Sequence, residues 1–225
     1  MSELYIVATP IGNLEDVSLR ALRILKEADF ILCEDTRVTK KLLARYEIKR
    51  PLVSYHQHSS AGKIDEIKTL LKEGKKLALV TDAGTPGISD PGNELVAQIL
   101  EELGENIKIY PIPGPSALVA AASISGMPMS EFLFLGYPPS KNKREKFFKR
   151  VSVSDAPVVL YESVHRILRT LHDIENATGK NRKIMVAREL TKQFESVYRG
   201  TVEEVLINLE KDKVKGEFVI IVAKP

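Results

Sequence analysis

Short apolar runs alternate with stretches whose hydrophobic residues recur every three or four positions through the first half of the chain. Leu4 to Ala8, Phe30 to Cys33, Leu52 to Tyr55, Lys76 to Thr81 and Ile107 to Tyr110 have the length and continuity of buried strands. Between them, Ser18 to Ala28 carries Leu19, Ala21, Leu22 and Leu25 at helical spacing, and Thr36 is placed to cap a helix through Tyr46. Ser59 or Ser60 caps a third helix with Ile64, Ile67, Leu70 and Leu71 on one face, and a fourth ends near Leu103. Strand and helix in strict alternation predict a parallel sheet with right-handed crossovers, whose loops gather at the carboxyl ends of the strands.

The pattern changes after Pro111 to Pro115, three prolines and a glycine in five residues, which marks a boundary between domains spanning 1–113 and 114–225. Beyond it come a small-residue helix from Ala117 to Ser123, a strand Phe132 to Gly136, a strand Pro157 to Tyr161 and a helix from Val164 to about Glu175. Strands Lys183 to Ala187 and Glu195 to Gly200, a helix Val202 to Leu209 and a strand Glu217 to Val222 complete it. Later strands that follow each other closely predict a mixed sheet, so the fold class is α/β in two domains, parallel then mixed.

Four loops fall on the carboxyl edge of the first sheet: Thr9 to Asn13, Glu34 to Thr36, Val80 to Gly92 and Pro111 to Ser116. The third has three glycines, two prolines and the carboxylates Asp82 and Asp90. Glycines admit a ligand close to backbone N–H groups and prolines fix the loop beforehand, which suits a small polar molecule. The same residues also suit a rigid connection in which an aspartate caps the next helix. Neither G-x-G-x-x-G nor the P-loop pattern is present.

Composition narrows the classes. The 225 residues are 44% hydrophobic and 28% charged with net charge +3, ordinary for a globular protein. A lone cysteine, Cys33, sits in an apolar run and reads as a small core residue in a reducing, cytoplasmic setting. No run of about 18 apolar residues predicts a membrane span. His56 and His58 lack a cysteine or acidic partner, so no metal is expected. Charge is concentrated locally: residues 141–150 hold six basic side chains against one acidic, and Arg37, Lys40, Lys41 and Arg45 recur along one helix. Lys141, Lys143, Arg144 and Lys146, with Arg37, Lys40 and Lys41, are candidate phosphate contacts, or else ordinary solvated faces.

Seven blocks carry a resemblance: Thr9 to Asp16, Glu34 to Arg37, Val80 to Gly92, Pro113 to Ala117, Tyr161 to Arg166, Arg188 to Lys192 and Gly216 to Phe218. In this order they resemble the tetrapyrrole methylase superfamily, and within it the branch that methylates a cytidine ribose 2′-hydroxyl of small-subunit (16S) ribosomal RNA. The resemblance implies S-adenosyl-L-methionine as cofactor, bent in a cleft between two domains, a homodimer, and the ribosomal RNA or assembled small subunit as partner. It places cofactor contacts on Pro10, Asp82, Ala83, Gly84, Ile88, Ser89, Asp90, Ser116, Ala117, Tyr161, Ala187, Glu217, Phe218 and Val219. Transfer to a hydroxyl requires alignment and removal of a proton, and Glu34, Asp35, Arg37, Glu162, His165, Arg188, Glu189 and Lys192 are the charged candidates at strand ends. Glu34, Asp35 and Glu162 also suit loop geometry, His165 a first helical turn, and Arg188 with Glu189 an internal ion pair. Methylation of a tetrapyrrole carbon and a non-catalytic nucleotide-binding regulator are the alternatives.

Overall fold

The computed structural model describes residues 2–57, 59–212 and 214–225. They form two compact units, Met1–Ser116 and Ala117–Pro225. Unit 1 is a five-stranded sheet of β1 (Ser2–Val7), β2 (Phe30–Cys33), β3 (Leu52–Ser54), β4 (Lys76–Leu79) and β5 (Ile107–Ile112), in the order β3-β2-β4-β1-β5. Every pairing in it is parallel.

Side chains alternate across this sheet. On β4, Leu77 and Leu79 join one core with Ile67 and Leu71 of α3 (Ala61–Lys72) and Leu95 and Ile99 of α4 (Asn93–Leu103). Ala78 joins the opposite core with Ile24 and Leu25 of α1 (Leu19–Glu27) and Leu42 and Leu43 of α2 (Thr36–Arg45). Both faces are therefore covered, which is why these strands read as continuous apolar runs. Each fully buried Leu or Ile contributes roughly 1.5–3 kcal/mol. Cys33 is 0% exposed within the second core. Ser18 caps α1, its side chain accepting from the Ala21 N–H at 3.1 Å.

Two caps differ from the sequence expectation. Asp35, not Thr36, precedes α2 and accepts the Arg37 N–H at 2.8 Å, since its carboxylate reaches the second exposed donor of the helix. No aspartate caps α4: Gly92 stands there, in a conformation with φ 148° that disfavours a side chain. Pro111 continues β5 rather than ending it. β5 lies at the sheet edge beside β1, and there a missing N–H is tolerated.

Unit 2 is a mixed sheet, β6-β7-β10-β8-β9, of β6 (Leu133–Gly136), β7 (Val158–Ser163), β8 (Lys183–Arg188), β9 (Ser196–Thr201) and β10 (Glu217–Val222). β6 runs parallel to β7 and the other pairs are antiparallel. One face packs on α6 (Arg144–Ser152), α7 (Ile167–Thr178) and α8 (Val202–Glu210) around Leu160, Val186, Phe218 and Ile220. The other meets α5 (Ala117–Ser123) against β10. Thr201 and Glu204 form a reciprocal capping box at α8. Among the described residues no helix is long and apolar enough to cross a membrane.

Candidate active site

Because β4 lies between β2 and β1, three of the predicted loops become neighbours at the carboxyl edge of unit 1. Thr9 and Gly84 exchange both backbone hydrogen bonds, at 2.9 and 3.0 Å, and the Thr9 hydroxyl donates to the Thr81 carbonyl at 3.0 Å. Asp82 Oδ1 accepts the Asp35 N–H at 3.1 Å, fastening the loop after β4 to the loop after β2. Farther along, Gly87 has φ +83°, and a Cβ there would lie 2.5 Å from Asn93 Oδ1. Asn93 in turn donates to the Gly87 carbonyl at 2.7 Å, so this turn is set by the helix it precedes. Ser89 holds φ 60° without being glycine, a conformation that costs free energy and that the surrounding loop must enforce.

The charges on this edge separate into two kinds. Arg37 grips Asp35 with Nε at 3.0 Å from Oδ1 and Nη2 at 2.6 Å from Oδ2, and holds its pKa down at about 2. Asp35 is thus a helix cap and ion-pair partner. Glu34 and Asp82 behave in the opposite way. Both reach solvent, yet the packed loops withdraw enough water to raise both pKa values. For Glu34 the Asp82 charge adds to that rise while His56 opposes it; for Asp82 the Asp35 N–H opposes it and the Asp35 charge adds. Paired carboxylates with raised pKa values, one of them already holding a backbone donor, suit a cation or a proton in transit. His56, at the end of β3, joins this group electrostatically, and its position after a strand was the only signal of it in the sequence.

In unit 2 the expected residues divide by face. Val219 is paired with Tyr161 on one side and Ala187 on the other, so these three form one row across the sheet. The Tyr161 hydroxyl accepts the Leu118 N–H at 3.1 Å at the start of α5, and Phe134 and Tyr137 lie edge-on to its ring. Phe218 departs from the expectation: its side chain is 2% exposed in the helix-covered core, because strand alternation turns it opposite to Val219.

Several charged candidates of unit 2 serve its architecture. Glu162 is fully buried: Oε1 accepts the Ser163 N–H at 2.8 Å and faces Arg166 at 2.9 Å, while Oε2 accepts the Thr170 hydroxyl at 2.6 Å. With no solvent path it is not placed as a base. Arg144 is corrected as well. Its side chain is 6% exposed, turned inward to Asp173 at 2.6 Å, Thr170 at 2.7 Å and the Pro139 carbonyl at 2.8 Å, over the Phe148 ring. It therefore presents no charge to a phosphate. Lys141, Lys143 and Lys146 are exposed, as are Lys40 and Lys41 on α2. His165 is exposed in the turn before α7, not within it.

Arg188 pairs with Asp212 at 3.1 Å, and its charge also favours the Glu189 carboxylate. Glu189 instead accepts the Glu217 N–H and the Lys192 ammonium, both at 2.9 Å, and Lys192 also reaches Glu217 at 2.8 Å. Desolvation pushes the Glu189 pKa up, but Lys192 and the Glu217 N–H outweigh it and leave the pKa lowered. This corner is closely fitted: Glu189 and Thr191 have φ 52° and 65°, and a Cβ on Gly216 would lie 2.4 Å from the Glu189 side chain. No group of three or more potential metal ligands occurs among the described residues; His58 lies outside them.

The chain is a methylase by family: residues 3–206 match the Tetrapyrrole (Corrin/Porphyrin) Methylases, to which the chain belongs. Within that family it is 45% identical over 223 residues to a Thermotoga maritima protein named ribosomal RNA small subunit methyltransferase I, covering 99% of both chains. A protein of the same name from Halalkalibacterium halodurans is 47% identical over 220 residues, 97% of this chain and 75% of the relative. The solved structure of a cobalt precorrin-4 methyltransferase from cobalamin biosynthesis superposes with TM-score 0.74 at 18% identity, covering 98% of this chain and 94% of the other.

Proposed function

We propose that the chain is an S-adenosylmethionine-dependent methyltransferase acting on a cytidine ribose 2′-hydroxyl of small-subunit ribosomal RNA. The observation that carries the acceptor chemistry is the juxtaposition of Glu34 and Asp82 at adjacent strand ends, with the cationic face of α2 directly following. The whole-chain likeness to proteins named for ribosomal RNA supports the substrate.

S-adenosylmethionine supplies an electrophilic methyl group on a sulfonium, along with an α-amino group and a carboxylate. The residues of unit 1 fit such a molecule. One Asp82 oxygen holds a backbone N–H and the other carries no hydrogen bond among the described residues, leaving an acceptor for the amino group. Pro10, Ala83, Gly84, Ile88 to Asp90 and Ser116 would shape the backbone around it. Asp82 orients more than it catalyses, since a carboxylate that bound the sulfonium tightly would favour the ground state. Glu34 would take the proton from the acceptor hydroxyl, the base that transfer to a neutral ribose oxygen requires.

Asp82→Ala is expected to weaken donor binding about 10- to 100-fold, the loss of one charged hydrogen bond, read by calorimetry. An unchanged affinity removes Asp82 from the donor site. Changing Lys141, Lys143 and Lys146 together to Ala should leave donor affinity alone and lower the slope of log RNA affinity against log salt by about two to three. A flat slope in the unsubstituted chain contradicts a phosphate role. The activity itself is tested by transfer of radiolabelled methyl to isolated small subunits, free ribosomal RNA and a tetrapyrrole precursor. Labelling of the tetrapyrrole alone overturns the proposal in favour of carbon methylation.

A further inference from the structure

A hollow of about 240 Å³ lies in unit 1, sharing Pro10 and Asp82 with the proposed donor contacts and extending past them. It is bounded by the end of β1 at Pro10, the turn at Leu14, the first half of α2 at Val38 and Leu42, and the end of β4 at Thr81 and Asp82. Its walls are almost entirely hydrocarbon. Val38 stands out on α2: it is 36% exposed on a helix whose other outward residues include Arg37, Lys40 and Lys41. Thr81 is 3% exposed, and its hydroxyl has no hydrogen-bond partner among the described residues.

Size, surface and surroundings select one occupant. Pockets for drug-sized ligands run to roughly 300–1,000 Å³, so this hollow is small for a four-ring macrocycle and suits a single flat heterocycle. Hydrocarbon walls favour the faces of a base, and Lys41, which lines the hollow and is exposed, offers a cation to the adjoining phosphate. Pro10 and Asp82 belong both to the hollow and to the proposed donor contacts, so a nucleoside seated there brings its ribose beside the methyl group. Resting on the RNA methyltransferase function proposed above, we propose that this hollow receives the base of the acceptor nucleotide, turned out of the RNA strand. Burying the base fixes the ribose, and the chemistry at Glu34 then needs only one geometry.

Val38→Trp tests this. The chain has no tryptophan, so the introduced indole both fills the hollow and reports its own environment. The expected result is blue-shifted emission, unchanged S-adenosylmethionine affinity by calorimetry, and methyl transfer to ribosomal RNA reduced about 100-fold. Val38→Met, which fills less of the hollow, should fall between Val38→Trp and the unsubstituted chain, and Ile207→Trp on the exposed face of α8, outside the residues that line the hollow, should transfer like the unsubstituted chain. Blue-shifted emission with undiminished transfer overturns the proposal. So does blue-shifted emission with lost donor affinity, which would give the hollow to the donor. Failure of the unsubstituted chain to methylate any RNA strikes instead at the proposed activity, and the same assay reads it separately.

Discussion

Glu34→Gln should lower kcat for methyl transfer by roughly 100- to 10,000-fold while donor affinity stays unchanged. Glutamine keeps the shape and the hydrogen-bonding capacity of the side chain but cannot take up a proton. The direction of the Glu34 pKa makes the prediction sharper. Desolvation first, and the Asp82 charge second, raise it above the usual carboxylate value. A base works only when deprotonated, so activity should fall with decreasing pH at a higher point than an ordinary glutamate would give, and the alkaline side should be flat with respect to Glu34. Asp82→Asn removes one source of that rise and should move the acidic limb of kcat to lower pH. In Glu34→Gln the limb should vanish. A variant that keeps both its rate and its acidic limb would show that the proton leaves by another route.

Glu162→Ala is expected to destabilise unit 2 by about 3–5 kcal/mol, measured by denaturant unfolding, with the mid-point falling at unchanged slope. Removing this buried, hydrogen-bonded carboxylate strands the groups aimed at it, of which Arg166 reaches solvent. Here the loss propagates: Arg166 loses its carboxylate, and the Thr170 hydroxyl, which donates to Glu162 while accepting from Arg144, loses its acceptor. Arg166 and Arg144 also hold the Pro138 and Pro139 carbonyls, so the segment leading to Lys141 and Lys143 loosens with them. Glu162→Gln should cost less, because an amide can still accept from Thr170. A cost under about 1 kcal/mol for the alanine variant would mean that water replaces the carboxylate.

Much of the fold was legible because its signals are local. Phe30 to Cys33 and Glu217 to Val222 are contiguous apolar runs between turns, and the structure gives them the bounds the sequence suggests. α7 begins three residues later than the spacing predicts, since Val164 fits the helical period while the backbone makes a separate turn from Ser163 to Arg166 first. The site was legible as a set of loops, but not in its internal wiring. Glu34 and Asp82 act on each other because β4 inserts beside β2, a consequence of strand order that spacing does not contain. Arg144 failed as a phosphate contact for a similar reason: its partners Thr170 and Asp173 lie 26 and 29 residues away, and a run of basic residues looks the same whichever way one of them turns. The hollow beneath Val38 had no sequence signal, being the product of four separate segments.

The reciprocal hydrogen bonds between Thr9 and Gly84 constrain how such a protein can be altered. Because each loop supplies both a donor and an acceptor to the other, the two segments form a single structural part, although 75 residues separate them in sequence. Grafting the Val80 to Gly92 loop of another methylase onto this scaffold, to change what it methylates, would therefore have to bring the matching Thr9 to Asn13 segment along. A one-loop chimera would begin with two backbone hydrogen bonds broken beside the proposed donor site.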